Sequence, residues 1–94
     1  MNARRIYVYI LSSATRTLYC GVTDDLKSRL SEYKDLMVGT ESPNQDLPRL
    51  VYVEEFDDEG EAVRREKQIQ KWRRSRKIDL IMRVNPKWVD IRED

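Results

Sequence analysis

Glu66 stands where an apolar residue belongs. Between Glu59 and Trp72, at about 100° per residue, Ile69 falls about 20° to one side of Ala62 and Glu66 about 40° to the other. A carboxylate in an arc that should face a core is either paired or employed, because burying a bare charge is costly. Two readings stay open: an internal ion pair with a nearby arginine, or a metal or substrate ligand. Arg29 poses the same question on another segment, on the flank of the stripe formed by Leu26, Leu30 and Tyr33. Its stem packs while its head reaches water, or its planar fork is directed at a phosphate. Tyr33, one turn later on that face, reads as core when taken alone. Tyr9 and Tyr19 fall in two runs of strand composition, and Gly21 inside the second signals a bulge, a turn or a close backbone approach. Cys20 points away from Tyr19 and reads as a small buried hydrophobe.

The elements that must position these groups follow from periodicity. Ile6 to Leu11 is β-branched and aromatic, the pattern of a buried strand, and Thr17 to Val22 reads as a second. A hairpin centred on Ala14 sets Leu11 opposite Thr17 and Tyr9 opposite Tyr19, with the two phenols side by side on one face. Thr23 or Asp24 offers an N-cap for a helix carrying Leu26, Leu30, Tyr33 and Met37. Gly39 to Arg49, with Pro43 and Pro48, reads as a loop, and Leu50 to Glu55 as a third strand. A long helix follows from about Glu59 to about Trp72, with Ala62, Val63 and Ile69 on its apolar side. Ser75 is placed to cap a short third helix through Ile78, Leu80, Ile81 and Met82. Asn85-Pro86 opens an irregular tail in which Trp88 and Ile91 are expected to pack back on the body.

Composition narrows the chemistry further. Ninety-four residues fit one domain, taken as 1–94, with a small core. The absence of histidine excludes Ser-His-Asp catalysis and Cys/His zinc modules, and one cysteine excludes an internal disulfide. Three glycines cannot make the usual nucleotide-phosphate loops. The longest apolar stretch is too short to cross a membrane, so a small cytoplasmic domain is expected. The net charge of +1 conceals an uneven distribution. Arg64 to Lys77 holds eight basic residues and one acid, while Glu54 to Glu61 holds six acids and no base. The basic segment is either a phosphate-binding surface or the solvated side of a helix.

Taken in order, Tyr7-Val8-Tyr9, Tyr19-Cys20-Gly21, Arg29, Glu66 and Asn85 form a series that resembles the GIY-YIG endonuclease superfamily. The resemblance is closest to its short stand-alone bacterial members, related to the incision subunit of nucleotide-excision repair, and runs from Ile6 to about Ile91. Tyr7 replaces the glycine of the first motif, and Cys20 takes the middle position of the second. Leu26 to Tyr33 is similar to the family's first helix, whose arginine is catalytic. Glu66, within Arg65-Glu66-Lys67-Gln68-Ile69, matches the metal-binding glutamate, and Asn85-Pro86-Lys87-Trp88 the closing asparagine motif.

The resemblance implies an α+β fold, a three-stranded antiparallel sheet flanked by helices, and a Mg2+- or Mn2+-assisted hydrolytic cut in DNA. Arg29 would then place its donors on the phosphate, and Glu66 would hold the cation. Tyr19 is the expected general base, with Tyr9 beside it as partner or alternate. An ordinary phenol is ionised only about once in a thousand at neutral pH, so nearby cations, including Arg29 and Lys27, must favour the phenolate. Tyr33 stands where many relatives carry histidine, as an auxiliary phosphate contact or proton carrier. Val22 replaces a lysine that assists in some relatives, and the loop Gly39–Arg49 lacks lysine, so the grip on DNA is expected from Lys67, Lys71, Arg73, Arg74 and Arg76. The departures at Tyr7 and Val22 also suit a non-catalytic nucleic-acid-binding module of the same fold. A third reading makes the basic helix a docking surface for an acidic partner, including the Glu54–Glu61 segment of another copy, so the chain is expected as a monomer or weak homodimer.

Overall fold

The run Ile-Tyr-Val-Tyr-Ile-Leu has few small or charged members, and a strand of that kind is stable only when both its faces are covered. In the computed structural model, which describes residues 5–13, 15–38 and 49–91 (for 33–38 the backbone alone), it takes the central place. The elements follow the order β1 (Ile6–Ser12), β2 (Leu18–Thr23), α1 (Leu26–Val38), β3 (Arg49–Phe56), α2 (Glu59–Lys71) and α3 (Arg74–Val84). The sheet runs β2-β1-β3, and β1 is antiparallel to both neighbours. This is the α+β, three-stranded antiparallel arrangement implied by the resemblance.

Period-two alternation along β1 divides the core into two layers. Ile6, Val8 and Ile10 face α2 and α3, where they pack with Ala62, Ile69, Ile81 and Trp88. Tyr9 and Leu11 face α1, where they meet Leu30, with Tyr19, Leu26 and Val53 packed against them. Each fully buried isoleucine of the first layer contributes about 1.5–3 kcal/mol relative to leaving it exposed. The third strand obeys this division only because of a bulge. Ile10 pairs with Tyr52 and Leu11 with Leu50, so Val51 is an extra residue. The phase change lets Leu50 and Val53 share the α1 side, while Tyr52 and Phe56 join the other.

The hairpin register differs from the expected one. Tyr9 pairs with Gly21 and Leu11 with Tyr19, so the two phenols are diagonal neighbours on one face rather than directly opposed. The turn accounts for the shift. Ser13 donates its amide to the Thr17 carbonyl and accepts from the Arg16 amide, which centres the hairpin one residue beyond Ala14 and moves each cross-strand partner by two. Arg16 takes the left-handed conformation, φ 65°, that such a turn requires.

The second helix begins at Glu59 as expected, while the caps of the first and third differ by one or two residues. Asp25, rather than Thr23 or Asp24, caps α1: its Oδ1 accepts from the Ser28 amide at 3.1 Å. Thr23 Oγ1 in turn accepts from the Asp25 amide. Asp58 caps α2 through the Glu61 amide. Ser75 lies inside α3, whose N-cap is Arg73 with no side-chain cap bond. The expected loop Gly39–Arg49 lies, but for Arg49, outside the described residues.

The tail is held by polar contacts. Asn85 is buried, and its Nδ2 donates to the carbonyl of the bulge residue Val51 at 3.1 Å and to Val89 at 2.9 Å. Its Oδ1 accepts from the Val89 amide. Trp88 is buried, with φ 55°, and carries the Arg16 guanidinium 4.5 Å from its ring centroid. Ile91 departs from expectation. Its side chain is 40% exposed, and what holds it is its amide, which donates to the Leu50 carbonyl.

Candidate nuclease site at the β2 border

Gly21 has no side chain, and the space a Cβ would fill is taken by the phenol of Tyr9: a Cβ there would lie 2.5 Å from Cζ. Tyr9 is fully buried, so its hydroxyl is a fixed point beneath whatever reaches it. Arg29 reaches it, with Nη1 donating to the Tyr9 hydroxyl at 3.4 Å. Its position one turn into α1 and on the flank of the apolar stripe brings the head back over the sheet. Arg29 Nε also lies 3.6 Å from Glu32 Oε1, a largely exposed pair of little energetic weight. Tyr19 is half-buried on the same face and packs against the Tyr9–Leu11–Leu30 cluster. Tyr9, Tyr19, Gly21 and Arg29 therefore gather on the α1 side. Tyr33 is in α1, and its side chain lies outside those described.

Glu66 comes from the other layer. It is half-buried on α2, and among the described residues its carboxylate forms no ion pair. Its Oε2 accepts instead from Gln70 Nε2, which also donates to the Cys20 carbonyl at 3.4 Å. Cys20 lies between Tyr19 and Gly21 in β2, a border strand. Tyr9, Tyr19 and Arg29 thus gather at Gly21 on one face of the border strand, and on the other face Gln70 ties the Glu66 carboxylate to Cys20. Burial and the nearby Glu66 charge push the Cys20 thiol up to about 11, which makes it inert at neutral pH.

A neighbouring arginine does form an ion pair, with a different acid. Arg65 Nη2 lies 2.9 Å from Glu54 Oε2 and Nε 3.0 Å from Oε1, a two-point contact. The Tyr52 hydroxyl donates to the same carboxylate. Burial pushes the Tyr52 phenol up to about 12, aided by Glu54. Burial also works against the Glu54 charge, but the bonds from Arg65 and Tyr52 outweigh it and hold the carboxyl below its usual range. This cluster and Gln70 were missed from the sequence. For Gln70 a signal existed, since it lies four residues after Glu66 and so on the same helical face.

Lys27 is exposed on α1, and Lys67, Lys71, Arg73, Arg74 and Arg76 are exposed across the junction of α2 and α3. Arg76 stacks on the Trp72 ring at 4.1 Å and Arg65 at 5.2 Å, so the indole organises part of the basic surface. Asn85, as the tail shows, serves the fold. No group of three or more potential acid, thiol or imidazole ligands occurs among the described residues, so Glu66 is a single-carboxylate candidate.

The sequence profile of the GIY-YIG catalytic domain matches residues 5–79. The chain belongs to the GIY-YIG domain family. Among similar proteins, a UPF0213 protein of Syntrophus aciditrophicus is 37% identical over 81 residues, covering 85% of this chain and 92% of that one. A second, from Natronomonas pharaonis, is 37% identical over 76 residues, covering 80% and 88%. The solution structure of the UPF0213 protein BH0048 from Bacillus halodurans shares the fold, with a TM-score of 0.61, 24% identity and 92% of each chain covered. Membership in the GIY-YIG family carries a nuclease-like role. No helix among the described residues is long and apolar enough to cross a membrane.

Proposed function

We propose that the chain is a divalent-metal-dependent endonuclease that hydrolyses phosphodiester bonds in DNA at the β2 border. The observation that carries this reading is the Arg29 guanidinium held on the buried Tyr9 hydroxyl, over Gly21 and on the face of Tyr19. A planar cation tethered through one terminal nitrogen keeps its other donors for an anionic oxygen, and preorganised charge is the main resource of phosphoryl-transfer catalysis.

In this reading Arg29 binds a nonbridging oxygen of the scissile phosphate and stabilises the charge that builds there. Tyr19, as the phenolate, accepts a proton from the attacking water and becomes the neutral phenol, and Tyr9 keeps Arg29 in place from below. Glu66 suits a hard cation: one oxygen is engaged by an amide, and among the described residues the other is not engaged and no side-chain cation pairs with the carboxylate. Mg2+ or Mn2+ bound there supplies Lewis-acid stabilisation of the leaving 3′ oxygen. Lys67, Lys71, Arg73 and Arg74 hold the backbone without regard to sequence, with Lys27, Tyr33 and Arg76 as further phosphate contacts.

Nicking of supercoiled plasmid in Mg2+ or Mn2+ tests the assignment. Arg29→Ala and Glu66→Ala are each expected to abolish it with an unchanged far-UV circular dichroism spectrum. Full activity in either folded variant removes the mechanism.

A further inference from the structure

Gln70 faces two acceptors at once. Its Nε2 donates to Glu66 Oε2 and to the Cys20 carbonyl, the latter at 3.4 Å. A carboxylate and a carbonyl only accept, so the NH2 end alone fits between them, and the amide orientation follows from its surroundings. One side chain therefore joins the acid of α2 to the border strand that carries Tyr19 and Gly21. A glutamate held only by its own torsions samples many rotamers, and fixing it costs entropy at each binding event. The bridge removes that freedom beforehand, and it sets the helix against the strand at the point where the two layers of the site meet.

We infer that Gln70 is a positioning residue for Glu66, holding one carboxylate oxygen and presenting the other to a divalent cation. The inference rests on the nuclease reading for its effect on turnover, and on the carboxylate alone for its effect on metal binding.

The test uses the full chain with Gln70→Ala and Gln70→Met, the second keeping side-chain length and helix preference while deleting the amide. Mn2+ is titrated without DNA by electron paramagnetic resonance, and plasmid nicking is measured at a fixed, subsaturating Mn2+ concentration. Both variants are expected to bind Mn2+ about tenfold more weakly, in the range typical for loss of a ligand's outer hydrogen-bond partner. The kcat is expected to fall about as much, with KM for DNA within about twofold. Unchanged Mn2+ affinity in both variants overturns the inference, as does a raised KM at constant kcat, which would make Gln70 a DNA contact. A wild type that binds Mn2+ but cuts no DNA removes the nuclease reading, while the affinity difference still decides for Gln70. A wild type that binds no Mn2+ without DNA overturns the inference, while plasmid nicking still decides the nuclease reading.

Discussion

Gly21 lies directly beneath the phenol of Tyr9. The two are paired across β1 and β2, and the ring occupies the volume that a side chain at position 21 would claim. No glycine among the described residues has a positive φ, so Gly21 is required for space and not for backbone conformation. That space is what allows the Tyr9 hydroxyl to serve as a seat for Arg29.

Gly21→Ala is therefore expected to displace the ring, destabilise the fold by about 1–3 kcal/mol and lower nicking more than tenfold. Urea unfolding together with plasmid cleavage checks it. Wild-type stability and activity would mean that the ring has room to move without consequence.

The sequence carried the sheet, the helix order and the face assignments, because alternation and helical spacing are set locally by the burial each element needs. It did not carry the register of the hairpin, which goes with the left-handed conformation of Arg16, or the bulge at Val51, whose carbonyl is held by Asn85 thirty-four residues away. The anomaly at Glu66 was legible from its angle on the helix. Its hydrogen-bond partner is Gln70, and Arg65 makes its two-point contact with Glu54 instead, a pairing of which strand residues supply no periodic hint.

Glu54→Gln is expected to destabilise the protein by about 2 kcal/mol at pH 7, since it leaves Arg65 facing a neutral amide in a half-buried setting. Because the folded Glu54 carboxyl titrates below its ordinary value of 4.5, its contribution is fully present above that value and is lost as pH falls through the folded one. Denaturant unfolding of both proteins should show the gap narrowing below pH 4. A constant gap from pH 7 to pH 3 would refute the linkage.

Asn85→Ala removes both donors to the Val51 and Val89 carbonyls and the acceptor for the Val89 amide, at a cost of about 2–4 kcal/mol. Asn85→Asp places a carboxylate before the same carbonyls and should be less stable at pH 7 than near pH 4. Thermal melts at the two pH values measure the difference.

Arg73→Gln with Arg74→Gln tests the junction of α2 and α3. If both side chains meet phosphates, the slope of log Kd against log salt for duplex DNA should fall by about 2. Retention of the wild-type slope would move the grip elsewhere. Arg76 is a poorer choice for this test, since its guanidinium is already stacked on Trp72.

Leu50 has neither rung of its ladder to offer. Asp90 Oδ1 takes its amide and the Ile91 amide takes its carbonyl, so the opening of β3 is stitched to the chain's own last described residues. A foreign strand seeking to extend the sheet from that side would first have to unpick the stitch. At the opposite margin, β2, a visiting strand would compete with Gln70 for the Cys20 carbonyl and so intrude on the proposed cutting centre itself.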